Sequence, residues 1–150
     1  LYCLSATAER DGMELIAVIL KAPTSTQRFE GAKVLLNYGF AAYALATAEP
    51  PAPFQPIPVT LGEAASVMPR LAGDSTILGA KEKLAAMEVQ VELEDELAAP
   101  VDEGQELGRM TVTSQGQTLA AIPLVASQAV PRLTYWQILQ RCLKMAFMGG

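Results

Sequence analysis

Runs of apolar residues, alternating positions and helical repeats follow one another along this chain, and each predicts an element. Residues 2–8, Tyr2-Cys3-Leu4-Ser5-Ala6-Thr7-Ala8, read as a strand, Glu9-Arg10-Asp11-Gly12 as a turn and Met13 to Leu20 as the returning strand. Asp-Gly supplies the positive φ that a tight hairpin turn needs. Leu15-Ile16-Ala17-Val18-Ile19-Leu20 is apolar without alternation, which predicts a strand covered on both faces. After Pro23, Thr24-Ser25-Thr26-Gln27 fits a capping box, and Phe29, Ala32, Leu36, Phe40 and Tyr43 fall on one helical stripe. The first 45 residues therefore predict β–β–α, the closing elements of a larger α/β domain whose sheet this piece is too small to hide.

A change of pattern follows. Pro50, Pro51, Pro53, Pro56 and Pro58 break any regular ladder, so 46–56 reads as a linker between domains. Short strands then recur between turns: 57–61, 66–71, 76–78, 87–93, 107–113 and 117–125, punctuated by Gly104, Gly108 and Gly116. Val89, Val91 and Leu93 alternate with polar residues as a half-buried strand requires. Residues 57–127 are thus expected to form a small all-β sandwich or barrel. Residues 131–148 return to helical spacing, with Leu133, Trp136, Leu139, Leu143 and Phe147 on one face and Gln137, Arg141 and Lys144 on or near the other. The fold class expected is mixed α/β: hairpin and helix, then β-sandwich, then amphipathic helix.

Composition changes this picture at a few points. With 51% hydrophobic and 18% charged residues the chain is folded rather than disordered. Net charge is −5; residues 132–150 carry Arg132, Arg141 and Lys144 and no acid, so the preceding 131 residues hold −8. An acidic body without a clustered basic face argues against a nucleic-acid partner. Histidine is absent, which excludes a Ser-His-Asp triad or a His-ligated metal within the chain. Cys3 and Cys142 stand alone at opposite ends, outside any C-x-x-C pair, and read as free thiols acting as small hydrophobes. The acids Glu92, Glu94, Asp95, Glu96, Asp102, Glu103 and Glu106 match no calcium-loop spacing and read as a solvated face. Ala86-Met87-Glu88 lacks the displayed Lys of a biotinyl or lipoyl carrier. No cofactor or metal is expected. Leu1 opens on a strand under way, with no initiator Met and no signal peptide, so a preceding segment is expected.

Several stretches, in order, resemble one family. Residues 2–18 are similar to the strand pair that follows the K-T-G motif of low-molecular-mass penicillin-binding proteins, the serine D-alanyl-D-alanine carboxypeptidases. Arg28-Phe29-Glu30-Gly31-Ala32-Lys33-Val34-Leu35-Leu36-Asn37-Tyr38-Gly39-Phe40 resembles the family's closing helix. Ala99-Pro100-Val101-Asp102-Glu103-Gly104-Gln105-Glu106-Leu107-Gly108 and Ile122-Pro123-Leu124-Val125-Ala126 resemble its following β-domain, and the basic amphipathic tail its membrane anchor. The resemblance implies a parent enzyme that acts on peptidoglycan stem peptides at the extracytoplasmic face of the bacterial cytoplasmic membrane. It also implies a β-lactamase-like fold for the domain that 1–45 would close.

The chemistry of that family needs S-x-x-K, S-x-N and K-T-G. None of Ser5, Ser25, Ser66, Ser75, Ser114 or Ser127 starts either serine motif, and no Lys precedes Thr-Gly. No catalytic residue is therefore assigned. The candidate site is a membrane-binding face formed by Leu133, Trp136, Leu139, Arg141, Leu143, Lys144 and Phe147: aromatic residues suit the interfacial zone and cations suit anionic headgroups. Two other readings stand beside it. The tail helix could pack its apolar face on its own β-domain, and the chain could be a non-enzymatic spacer or interaction module.

Overall fold

In the computed structural model, which describes residues 1–148, the elements follow in this order. They are β1 (Tyr2–Arg10), β2 (Met13–Ala22), α1 (Ser25–Ala42), β3 (Tyr43–Thr47), β4 (Ile57–Thr60), β5 (Ser66–Val67), β6 (Pro69–Leu71), β7 (Thr76–Ala80), α2 (Lys81–Ala85), β8 (Met87–Leu93), β9 (Leu97–Ala98), β10 (Glu106–Ser114), β11 (Gln117–Ala126) and α3 (Tyr135–Met148). They divide into two compact units. One comprises residues 1–48, 76–88 and 113–119; the other comprises 49–75, 89–112 and the chain from Ala120 onward.

In the first unit, β1 and β2 form an antiparallel hairpin with Arg10 opposite Met13. Asp11 and Gly12 both take positive φ, 53° and 77°, the type I′ geometry whose twist matches the strands. Thr24 caps α1 by accepting the Gln27 N–H at 3.2 Å, as the capping box predicts. Ala8 pairs with Leu15, Ala6 with Ala17 and Leu4 with Ile19. On the β2 side of these pairs α1 passes close: a Cβ on Gly31 would lie 3.4 Å from Ile19 Cδ1, and one on Gly39 closer still, 2.5 Å from Leu15 Cδ1.

The expectation of a doubly covered β2 is met on that face alone. Ile16, Val18 and Leu20 are set on the opposite face by the two-residue period of the strand and are exposed, Ile16 by 67% and Leu20 by 72%. The helix stripe is also narrower than its spacing implied. Ala32 and Phe40 are buried and Leu36 half-buried, but Phe29 is exposed. Tyr43 has left the helix: β3 begins there and pairs antiparallel with β7, Leu45 opposite Leu78. Residues 46 and 47 are thus strand, and the irregular Pro-rich stretch starts only after them. Lys81 donates from Nζ to the Phe40 carbonyl at 2.9 Å, satisfying an orphan acceptor at the end of α1, while Arg10 lies over the Phe40 ring at 4.7 Å.

The second unit is β-rich. β4 lies between β5, antiparallel, and β9, parallel. A four-stranded sheet runs in the order β6–β11–β10–β8, with Leu124 opposite Leu71. Ile57, Val59, Val67, Leu97, Val101, Leu107, Ala126 and Val130 share one buried cluster. Along β10 the buried positions are Leu107, then Met110, Val112 and Ser114, so alternation slips by one residue between 107 and 110. Such a slip marks a bulge. Gly108 occupies it because the backbone of β8 passes there: a Cβ would collide with the Glu92 carbonyl oxygen and lie 2.9 Å from Leu93 Cα.

Candidate functional site

The sequence motifs that could carry covalent chemistry are missing, so the residues left to explain are those of α3 and its bed. Two backbone hydrogen bonds lay the bed. Glu63 N–H donates to the Pro131 carbonyl at 2.9 Å and Leu133 N–H donates to the Leu61 carbonyl at 2.8 Å, with Gly62 and Arg132 bridged between them. Gly62 has no room for a side chain, since a Cβ would lie 2.7 Å from Val130 Cγ1 and 2.9 Å from Val59 Cγ1. This strap ends the chain's β structure and aims it into α3.

The helix begins later than residue 131, because Pro131 and Leu133 spend their backbone groups on the strap. Its start is set by Thr134-x-x-Gln137. Gln137 Oε1 accepts from the Thr134 backbone N–H at 2.8 Å and from the Thr134 hydroxyl at 2.9 Å, the returning half of a capping box. Gln137 Nε2 donates to Glu63 Oε1 at 2.9 Å, and Arg141 Nη2 donates to the Glu63 carbonyl at 3.1 Å.

These bonds decide which way the helix faces. Successive residues turn by about 100° in an α-helix. Gln137 and Arg141, one turn apart, therefore share a side with Gln140 and Lys144 beside them, and Trp136, Leu139, Leu143 and Phe147 fall on the other side. The polar side is the one held to Glu63. The apolar stripe is left outward, with Trp136 71% and Phe147 84% exposed and Leu139 and Leu143 about half exposed. The helix is open on its other sides too: Gln140, Arg141 and Lys144 are exposed, and Gln137 and Ile138 are its half-buried residues among those described. Among the described residues no helix is long and apolar enough to cross a membrane.

Of the seven residues expected at the site, six lie on α3, four in the outward stripe and Arg141 and Lys144 on the polar side. Leu133 departs from the expectation. It lies in the strap, half-buried, and lines a groove with Glu63, Gln137, Gln140, Arg141 and Lys144 rather than joining the stripe. Arg141 keeps an exposed guanidinium but commits one amine to the Glu63 carbonyl. Sequence reasoning missed Glu63, which lies 74 positions before Gln137 and has no local signal. It passed over Thr134 and Gln137 as a capping pair, although their spacing announces one.

The remaining candidates are quiet. Glu92, Glu94, Asp95 and Glu106 line a shallow groove with Arg109, and the Glu106–Arg109 pair at 3.5 Å is more than half exposed, worth little in water. No group of three potential metal ligands occurs among the described residues. Cys3 and Cys142 are free thiols as expected, but both are exposed and neither fills a hydrophobic site.

Hairpin, covering helix, β-rich unit and closing amphipathic helix together define the class, a mixed α/β chain whose larger part is β-rich. The chain belongs to the family described as penicillin-binding protein 5, C-terminal domain, whose model matches residues 52–132, more than half its length. It is 25% identical over 144 residues to the D-alanyl-D-alanine carboxypeptidase DacF of Bacillus subtilis, covering 95% of this chain and 37% of that protein. With the D-alanyl-D-alanine carboxypeptidase DacC of Escherichia coli it shares 28% over 131 residues, 86% of this chain and 33% of that one. The structure of penicillin-binding protein 5 from Haemophilus influenzae superposes with a TM-score of 0.67 at 29% identity, over 87% of this chain and 39% of its own. The carboxypeptidase DacD from Francisella tularensis, at 23% identity and a TM-score of 0.56, is alike in fold. The chain spans about a third of the length of the curated relatives it matches.

Proposed function

We propose that this chain is the C-terminal part of a serine-type D-alanyl-D-alanine carboxypeptidase, and that it carries the enzyme on an anionic bilayer at the extracytoplasmic face of the cytoplasmic membrane. The parent enzyme trims the terminal D-alanine from peptidoglycan stem peptides in cell-wall biogenesis, through an acyl-enzyme formed on a serine that residues 1–150 do not contain. The β1–β2 hairpin and α1 lend rigidity to the catalytic sheet beside the K-T-G strand. The β-rich unit is the spacer and α3 the anchor.

The observation that carries the membrane half is the exposed apolar stripe of α3. Its polar side is bonded to Glu63, and Trp136, Leu139, Leu143 and Phe147 are left as one outward apolar stripe. A bilayer interface satisfies such a stripe without a spanning segment, and Arg141 and Lys144 add about 1 kcal/mol each near anionic headgroups. The enzymatic half rests on relatives such as DacF and DacC, of which this chain spans about a third. Labelling with a fluorescent penicillin tests it. Residues 1–150 alone should take up no label, while the longer protein that contains them should be acylated once per molecule. Labelling of the isolated chain, or none of the longer protein, would overturn the proposal and favour a non-enzymatic spacer.

A further inference from the structure

We infer that Glu63 is a latch that turns α3 from a flexible tether into a rigid foot, fixing the height and azimuth at which the β-rich unit stands on its support. This deepens the membrane reading and rests on it for its purpose, though not for its geometry. An amphipathic anchor needs only its apolar stripe to bind a surface, and a loose linker before it would serve. Here the link is not loose. The strap bonds from Glu63 N–H to Pro131 and from Leu133 N–H to Leu61, with the Gly62–Arg132 bridge and the Thr134 N–H bond to Gln137, engage each residue from 131 to 134 between β structure and helix. Three groups of Glu63 act together: its N–H holds the strap, its carbonyl holds Arg141 and its carboxylate holds Gln137.

The same Gln137 closes the helix cap through Thr134, so the latch and the helix start are one hydrogen-bonded chain running Glu63–Gln137–Thr134. Bonds at 137 and 141, one turn apart on the polar side, fix rotation about the helix axis as well as position. A foot held this way points the whole stripe outward. With the stripe in the bilayer interface, the β-rich unit is set on the solvent side of the helix.

Double electron–electron resonance on the full 150-residue chain tests this. Spin labels are placed at Cys142 and at Gly73→Cys, where the structure has open space, with Cys3→Ser removing the other thiol. The unmodified latch should give one narrow distance distribution, in solution and on vesicles of phosphatidylcholine with phosphatidylglycerol. Glu63→Ala should broaden it at least twofold in width. Glu63→Gln, which keeps an acceptor for Gln137 Nε2, should restore the narrow distribution. Circular dichroism checks that both variants keep the native helix and strand content. A distribution as narrow in Glu63→Ala as in the parent overturns the latch. A narrow parent and broad Ala variant in solution, with no vesicle binding by either, supports the latch and overturns the membrane reading instead.

Discussion

Trp136→Ala is the sharpest perturbation of the outward stripe. Trp136 is 71% exposed and holds no hydrogen bond that folding depends on, so its removal should leave far-ultraviolet circular dichroism unchanged. A tryptophan carries about 150–250 Å² of burial-capable surface, and an interfacial helix sinks part of it. Taking about 100 Å² out of water at about 25 cal/mol per Å² gives about 2.5 kcal/mol, of which alanine keeps about 0.5. The loss of about 2 kcal/mol weakens vesicle partitioning about thirtyfold. Co-sedimentation with phosphatidylcholine–phosphatidylglycerol vesicles measures it. Trp136 is the sole tryptophan, so its emission in the parent chain should shift to the blue as vesicles are added. Partitioning of the Ala variant within threefold of the parent, or an unmoved emission maximum, would refute the reasoning. Gln140→Ala, on the polar side, should change binding less than about threefold and serves as the control.

Three more outcomes are expected. Lys144→Glu should weaken binding to anionic vesicles about thirtyfold at low salt, about 2 kcal/mol for the reversal of one charge, and much of the difference should vanish at 1 M salt, where charges are screened beyond about 3 Å. Gly108→Ala should destabilise the β-rich unit by about 3 kcal/mol or more in urea titrations, because the added carbon meets the backbone of β8 rather than a yielding side chain, whereas Gly73→Ala should change stability by less than about 1 kcal/mol. The apolar strand face of Ile16, Val18 and Leu20 should make the chain self-associate in analytical ultracentrifugation, and replacing the three together with threonine should abolish that; a monomeric parent chain, or unchanged association of the variant, would refute this.

The strands and the hairpin were legible because their signals are local. Asp-Gly announces the β1–β2 turn, and alternation at Val89, Val91 and Leu93 announces β8. What escaped depends on partners far along the chain. β3 is Tyr43-Ala44-Leu45-Ala46-Thr47, whose alanines give almost no alternation, and it exists because β7 pairs with it. α2 is a five-residue turn with no buried side chain. At the candidate site the stripe could be read from helical spacing, but its direction could not. The spacing fits a helix packed inward as well as one facing outward, and the choice between them is made by Glu63, 74 residues away from Gln137. Leu133 keeps the helical period of the stripe, but the strap bond from its N–H removes it from the helix.

The coding sequence immediately upstream of the Leu1 codon tests the central claim most directly. The account predicts an open reading frame that continues in register and encodes S-x-x-K, then S-x-N, then K-T-G a few residues before Leu1. A stop codon in frame, or an upstream frame without those three motifs, would contradict it and leave a membrane-associated β-domain with no carboxypeptidase attached.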